Sequence, residues 1–248
     1  MKKKITLLLI AMSALPVMAQ KAVDWQDLLT IVDENRCTVY YDRQSQKPLK
    51  GEYRIKRGLD VEAVKLKDGV IDGEYRRYRH GELREQGHYV KGKRDGVFTE
   101  YHVGGTVILK QISMRNGKIE GTVKTYFNNG DIDTEKEYRN GVEQGRERRY
   151  DKDNGEPIYE ANFVDGKKDG KEWQLADNGN GTMSQITQHY SEGLLDGNCL
   201  TELIRDGKVI YRIAGQYCNG NKYGEWTEDN LETGFTATTD YGPPGHRQ

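Results

Sequence analysis

Five histidines, at positions 80, 88, 102, 189 and 246, are the side chains through which this chain could ligate a metal ion or move a proton. They are dispersed, with neither the i, i+4 spacing of a helical ligand pair nor a partner motif, and they read as solvated turn and strand histidines. Carboxylates recur in register instead: Asp72, Asp95, Glu120, Asp169 and Asp196 each stand directly before a glycine. Such a column offers oxygen to a cation or acceptors to turn N–H groups and surface cations, and the second role is the expected one. The chain contains no Gly-x-Ser-x-Gly elbow and no phosphate loop. No catalytic, metal or cofactor residue is therefore assigned, and the expectation is a protein that is not an enzyme.

The other chemistry-bearing residues are aromatic. Sixteen tyrosines are too many for a chain that is only 35% hydrophobic unless they form its core or a binding platform. Tyr78, Tyr101, Tyr126 and Tyr150 recur five residues after a glycine, a column that fades to Leu175 and Glu202, and Tyr75 stands two residues after one. Together with Trp173 and Trp226 they are the candidate surface for sugar rings or peptide. In a strand, residues two and five after one position point to opposite faces, so Tyr75 and Tyr78 are not expected in one layer.

The elements that position these residues repeat. Gly-x-x-x-Gly occurs at Gly69/Gly73, Gly92/Gly96, Gly117/Gly121, Gly141/Gly145, Gly166/Gly170, Gly193/Gly197 and Gly220/Gly224, and Gly51 keeps the second glycine of a degenerate first unit. A recurrence of that kind is the signature of a repeat architecture. Asp or Asn precedes the first glycine in five of the seven pairs, the dipeptide that two-residue hairpin turns require. The second glycine is expected to open a strand and to allow a bulge or a close backbone approach. A large side chain stands three residues before each first glycine: Leu66, Tyr89, Met114, Tyr138, Phe163, Tyr190 and Tyr217. A second turn falls midway, as at His80-Gly81, Asn129-Gly130 and Asp206-Gly207, so each period holds two short strands. The expected fold is all-β, an elongated single sheet of about eight antiparallel hairpins of 22 to 27 residues.

Gly-x-x-x-Gly-x-aromatic-x-x-Tyr, a glycine turn and Tyr-x-x-Gly together resemble the MORN repeat, in the variant found in the bacterial YwqK-like antitoxin family. The approach to the array resembles it too, with Val39-Tyr40-Tyr41, a loop, and Pro48-Leu49-Lys50-Gly51 entering the first hairpin. The likeness extends from Val39 to Trp226. It implies the hairpin array and, by family label, an antitoxin-like role. The repeat's name also implies phospholipid contact, which near-zero net charge without clustered Lys or Arg makes a poor expectation.

The flanks complete the domain plan. Lys2 to Lys4, an apolar run from Ile5 to Val17 and the small-residue close at Ala19 read as a signal peptide over residues 1–19, with the mature chain starting at Gln20. Residues 20–38 contain Asp24 as a helix cap and Trp25, Leu28, Leu29 and Val32 at helical spacing, which predicts a short capping helix. The repeats occupy 39–235, and 236–248 is expected to be a disordered tail. Cys199 and Cys218 sit on two arms of one hairpin at offsets of about 13 Å along the strand, against about 7 Å tolerated by a disulfide, so no bridge is expected. With 38 basic and 39 acidic residues interleaved, nucleic acid is a poor partner. The sequence thus leads to an exported module, periplasmic or at the surface of a bacterium, that binds an unidentified protein or serves as a scaffold; carbohydrate binding is the alternative.

Overall fold

The computed structural model describes residues 20–244; the expected signal peptide and residues 245–248 lie outside them. The strands are β1 (Lys21–Asp24), β2 (Leu28–Val32), β3 (Thr38–Asp42), β4 (Gly51–Arg57), β5 (Asp60–Lys67), β6 (Val70–Arg79), β7 (Glu82–Val90), β8 (Lys93–Arg94), β9 (Gly96–Tyr101) and β10 (Ile108–Arg115). They continue as β11 (Lys118–Tyr126), β12 (Ile132–Arg139), β13 (Val142–Tyr150), β14 (Pro157–Val164), β15 (Lys167–Asp177), β16 (Thr182–Ser191), β17 (Leu194–Arg205), β18 (Lys208–Cys218), β19 (Asn221–Asn230) and β20 (Phe235–Asp240). From β4 to β20 the chain runs as one antiparallel meander, and β1 adds to the far side of β4 in parallel, giving an open sheet of 18 strands. β2 and β3 form a separate hairpin.

The turns explain the first glycine of every pair. Asp68, Asn116, Asn140, Asp165 and Asn219 take φ of 48° to 53°, and the glycines that follow them lie between 78° and 85°. Both central residues therefore occupy the left-handed region, as a type I′ hairpin demands. The second glycines, from Gly51 to Gly224, also have positive φ, and across the turn the ladder slips beside each of the later seven, as between the pairs Ile112/Val123 and Met114/Ile119. These glycines are bulges.

One expectation about the second glycines is corrected. Only Gly51 and Gly96 open a strand, β4 and β9; Gly73, Gly121, Gly145, Gly170, Gly197 and Gly224 lie inside β6, β11, β13, β15, β17 and β19. Gly145 and Gly197 are each the fourth residue of their strand and are half-buried. The reason is the two-residue turn, which lets pairing resume at once: Val142 already faces Arg139, and Leu194 faces Ser191. The strand then continues through the bulge. A Cβ on Gly145 would strike the Glu137 carboxylate, and one on Gly197 would come within 3.3 Å of the His189 Cβ, so the neighbouring strand uses the space that a side chain would need.

On their other side the second glycines pair with the large residue of the next unit, as in Gly73 with Tyr89, Gly121 with Tyr138, Gly145 with Phe163, Gly170 with Tyr190 and Gly197 with Tyr217. The two recurring columns, glycine and bulky residue, are thus one cross-strand pair repeated along the sheet.

Consecutive turns are also tied to each other. Gly92 N–H donates to the Ile71 carbonyl at 2.8 Å, Gly117 to Arg94, Gly141 to Ile119, Gly166 to Glu143, Gly193 to Lys168 and Gly220 to Leu195. The acidic column joins the same spine: Asp95 accepts the Asn116 N–H at 3.0 Å, Glu120 that of Asn140 at 2.7 Å, and Asp169 and Asp196 those of Glu192 and Asn219 at 3.2 Å. These carboxylates hold turns.

The main apolar core lies at the N-terminal end, where Leu28, Tyr40 and Leu49 pack with Tyr53, Ile55, Val64, Leu66, Tyr75 and Phe98 of the sheet. The expected capping helix is absent: Asp24 caps a single 3-10 turn, Trp25–Asp27, by accepting the Gln26 N–H, and Leu28–Val32 is strand. The reason is local. Thr30, Ile31 and Val32 are β-branched, and their ladder to Thr38–Asp42 offers pairing that a helix would forgo. The edge that the helix was expected to cover is covered by β1. The tail expectation is corrected likewise, because Thr236–Asp240 belong to β20 and pair with β19. Threonines at 236, 238 and 239 suit a strand, and β19 supplies an open ladder. Cys37, Cys199 and Cys218 are all free thiols, and Cys199 is paired with Gly215 in the ladder.

Candidate functional site

The second residue after the second glycine is buried in all eight units: Tyr53, Tyr75, Phe98, Val123, Glu147, Glu172, Cys199 and Trp226. This column marks the core face of the sheet. Phe98 lies over Gly87, where an added Cβ would fall 2.5 Å from its ring, and Trp226 lies over Gly215 in the same way. Tyr75 meets Tyr89 edge-on at 5.3 Å, and the Trp226 indole donates to the Gln216 carbonyl at 3.1 Å. Burial therefore withdraws Tyr75 and Trp226 from the candidate surface; both hold the fold. The paired glycines that define the repeat, Gly145 and Gly197 among them, likewise serve turns and bulges and present no side chain to a ligand.

In the fifth and sixth units the same buried place is taken by carboxylates. Glu147, 2% exposed, is gripped by Arg149 at 2.9 Å and Lys136 at 3.2 Å. Glu172, 3% exposed, pairs with Lys168 and accepts from Gln188 Nε2 at 2.6 Å. Burial alone would raise the Glu172 carboxyl, but Lys168 and Gln188 hold it below the ordinary Glu value. Burial, with the Glu172 charge close by, pushes the Tyr190 hydroxyl up to about 12. Glu85 repeats the arrangement with Arg94 at 2.7 Å and Arg77 at 3.3 Å. Each of these three carboxylates is engaged with cations of its own sheet, an arrangement that supports packing. Alignment of the units on the second glycine carries the signal for these residues, since it sets Glu147 and Glu172 in the column of Tyr75 and Phe98.

The opposite face carries the remaining candidates. Tyr78, Tyr101, Tyr126 and Tyr150 are half-buried there, and three of their hydroxyls are taken up across the strands. Gln86 donates to Tyr101 Oη at 2.6 Å, Tyr126 donates to Gln111 at 2.5 Å, and Tyr150 donates to Glu135 at 2.8 Å. Arg54 covers the Tyr78 ring at 5.5 Å. Among the described residues these four rings make no aromatic pairs with one another, so the structure does not bring them together as a platform.

Trp173 is different. It stands three residues after Gly170, on the opposite face, and is half-buried like those tyrosines. The equivalent residues of the neighbouring units are Arg76, Thr99, Lys124, Arg148 and Leu200, so this unit alone among them sets an aromatic ring in that stripe. Trp173 lines an open hollow with Pro157, Glu156, Glu160, Asn162 and Lys171. Strand pairing places Trp173 directly across from Glu160, and Glu160 across from Arg148, which grips Glu160 Oε2 at 2.7 Å. Behind that ion pair a second, smaller hollow is lined by Thr122, Lys124, Glu135, Glu137, Arg146 and Arg148. Lys124 binds Glu135 there at 2.6 Å, and with Tyr150 it holds the Glu135 carboxyl low against the effect of burial. Strand parity alone joins Glu160 to Asn162 on β14 and Lys171 to Trp173 on β15, but only the ladder register brings the two pairs together.

Among the described residues no three His, Cys, Asp or Glu side chains converge as a metal cage, and no helix is long and apolar enough to cross a membrane. No protein-family model matches the chain, and no curated protein matches it.

Proposed function

We propose that this chain is an exported, non-enzymatic scaffold of the bacterial envelope that uses its hairpin array to hold a protein partner, in the manner of a MORN-like repeat protein. The observation that carries the reading is the open sheet itself, 18 strands in one layer, whose hollows are open and whose buried Glu85, Glu147 and Glu172 are paired with cations of the same sheet. Extended repeat sheets of this kind offer long surfaces to partners and no enclosed cleft for chemistry. Among the described residues the free side of β20 adds unpaired backbone groups beside Phe235, which is 59% exposed, a place where a partner strand could join. The antitoxin-like role implied by the resemblance sits poorly with a signal peptide, since a neutraliser of a cytoplasmic toxin has no reason to leave the cytoplasm.

Crosslinking the tagged protein in an envelope fraction of its native host, followed by mass spectrometry, tests the reading. Recovery of one protein at near-equal amount, with the chain beginning at Gln20, is the expected result. Full-length chain in the cytosol without a stoichiometric envelope partner would discard it.

A further inference from the structure

We infer that the Trp173 hollow is a binding site for an extended, uncharged oligosaccharide of β-linked pyranose units, lying across the strands from β15 towards β11. The inference stands apart from the scaffold reading and rests on its own set of side chains.

The hollow has the two kinds of group that a sugar ring needs. Its apolar lining is the Trp173 ring and Pro157, groups that can meet the C–H face of a pyranose. Its polar lining is unspent. Among the described residues, neither the Trp173 indole N–H, the Asn162 amide nor the Lys171 ammonium has a hydrogen-bond partner. Glu160 is held by Arg148 through Oε2 only, which leaves Oε1 as a fixed acceptor. Donors and an acceptor thus surround one aromatic ring, the arrangement that fixes a hydroxyl-rich ligand in place.

Backbone pairing separates sugar from peptide. β13, β14, β15 and β16 pair with neighbours on both sides around the hollow, so the main chain has no row of N–H and C=O groups to offer an added strand. Recognition must run through side chains alone, which suits a ligand that brings its own dense hydroxyls. Charge narrows the class further. Four cationic and four anionic side chains line the two hollows together, so the groove has no net preference for a charged ligand. Geometry gives the direction. The hollows lie one behind the other with the Arg148–Glu160 pair between them, and adjacent strands are about 4.8 Å apart, close to the length of one pyranose in an extended chain. A straight, equatorially linked oligosaccharide advances by about one ring per strand, whereas a coiled α-linked chain leaves the groove after one or two rings.

Calorimetric titration of the purified protein with cellotetraose, tetra-N-acetylchitotetraose and maltotetraose tests this. At least one of the two β-linked sugars is expected to bind with a Kd on the order of 0.1 to 1 mM, and maltotetraose at least roughly ten-fold more weakly. Trp173→Ala should weaken the β-linked sugar by about ten-fold or more with Tm unchanged, as the loss of one stacking face of about 1.4 kcal/mol implies. Trp173→Phe, which keeps an aromatic face and removes the indole N–H, should stay within about three-fold of the parent protein. No heat from either β-linked sugar at about 10 mM, equal binding of maltotetraose, or full binding by a folded Trp173→Ala variant would each overturn the inference. The scaffold reading is untouched by these outcomes, because it is judged on a protein recovered from the envelope.

Discussion

Glu172 occupies the place that Tyr75 and Phe98 hold in earlier units, and this substitution sets an acid sensitivity into the C-terminal half of the sheet. The carboxyl is held low by Lys168 and Gln188, so the fold favours its ionised form. The stability this adds is complete above the ordinary Glu value of 4.5 and is lost as pH falls through the lowered folded value. Glu172→Gln should therefore cost about 1 to 3 kcal/mol at neutral pH, by leaving Lys168 without its partner, and should flatten the decline in stability below about pH 4.5 relative to the parent chain. Urea unfolding followed from pH 7 to pH 3 measures both effects. At this scale the sequence was only partly legible. The aromatic column was visible as a motif, but a Glu in the same register reads as surface until the burial of the whole column is known. The separation of Tyr75 from Tyr78 was legible, since strand parity alone assigns them to opposite faces.

The hairpin is the unit that the glycine spacing announces, and its turn chemistry was readable in Asn116-Gly117 and its equivalents. The strands begin earlier than the second glycines suggest, because the tight turn before Gly145 and Gly197 pairs its own flanks. Less readable still was the way each turn leans on the one before it. Asp95 accepts the N–H of Asn116 from the next unit, a contact between residues 21 positions apart that no local rule foresees. Asp95→Ala should cost about 1 kcal/mol, and hydrogen exchange at the Asn116 amide should accelerate while that of strands β4 and β5 stays unchanged. Equal acceleration along the whole sheet would mean that the turns are not coupled to nearest neighbours alone. The N-terminal element shows where periodicity misleads. Asp24 does cap, but one turn only, because Leu28–Val32 finds a strand partner in Thr38–Asp42. The helical spacing of Trp25 and Leu28 is satisfied equally well by packing both on the core. The strand at the far end is not legible in the sequence because β20 depends on the ladder that β19 offers, and its residues by themselves resemble a linker.

The whole molecule is a line of units whose apolar core is concentrated at one end. Buried residues of the main cluster run from Leu28 to Val123, whereas Tyr159, Ala161 and Phe163 form a small separate cluster and the later units depend more on ion pairs. Stability in such an array is a sum of unit and neighbour terms, so amide exchange is expected to be slowest in β4 to β7 and fastest in β17 to β20. Uniform protection from β4 to β20 would show that the array melts as one block. The extent of the array was legible because period is a property of sequence; its polarity was not, because it depends on which units the β2–β3 hairpin covers. A tension applied between the two ends of the molecule acts across the strands, so it opens the ladder hydrogen bonds one after another, as a zipper opens, and never loads a whole strand in shear. Each step releases one hairpin of 22 to 27 residues, a gain in contour length of about 75 to 90 Å at about 3.4 Å per residue. Under load the array would act as an extensible tether, yielding in small increments at low force and re-forming when the load is removed.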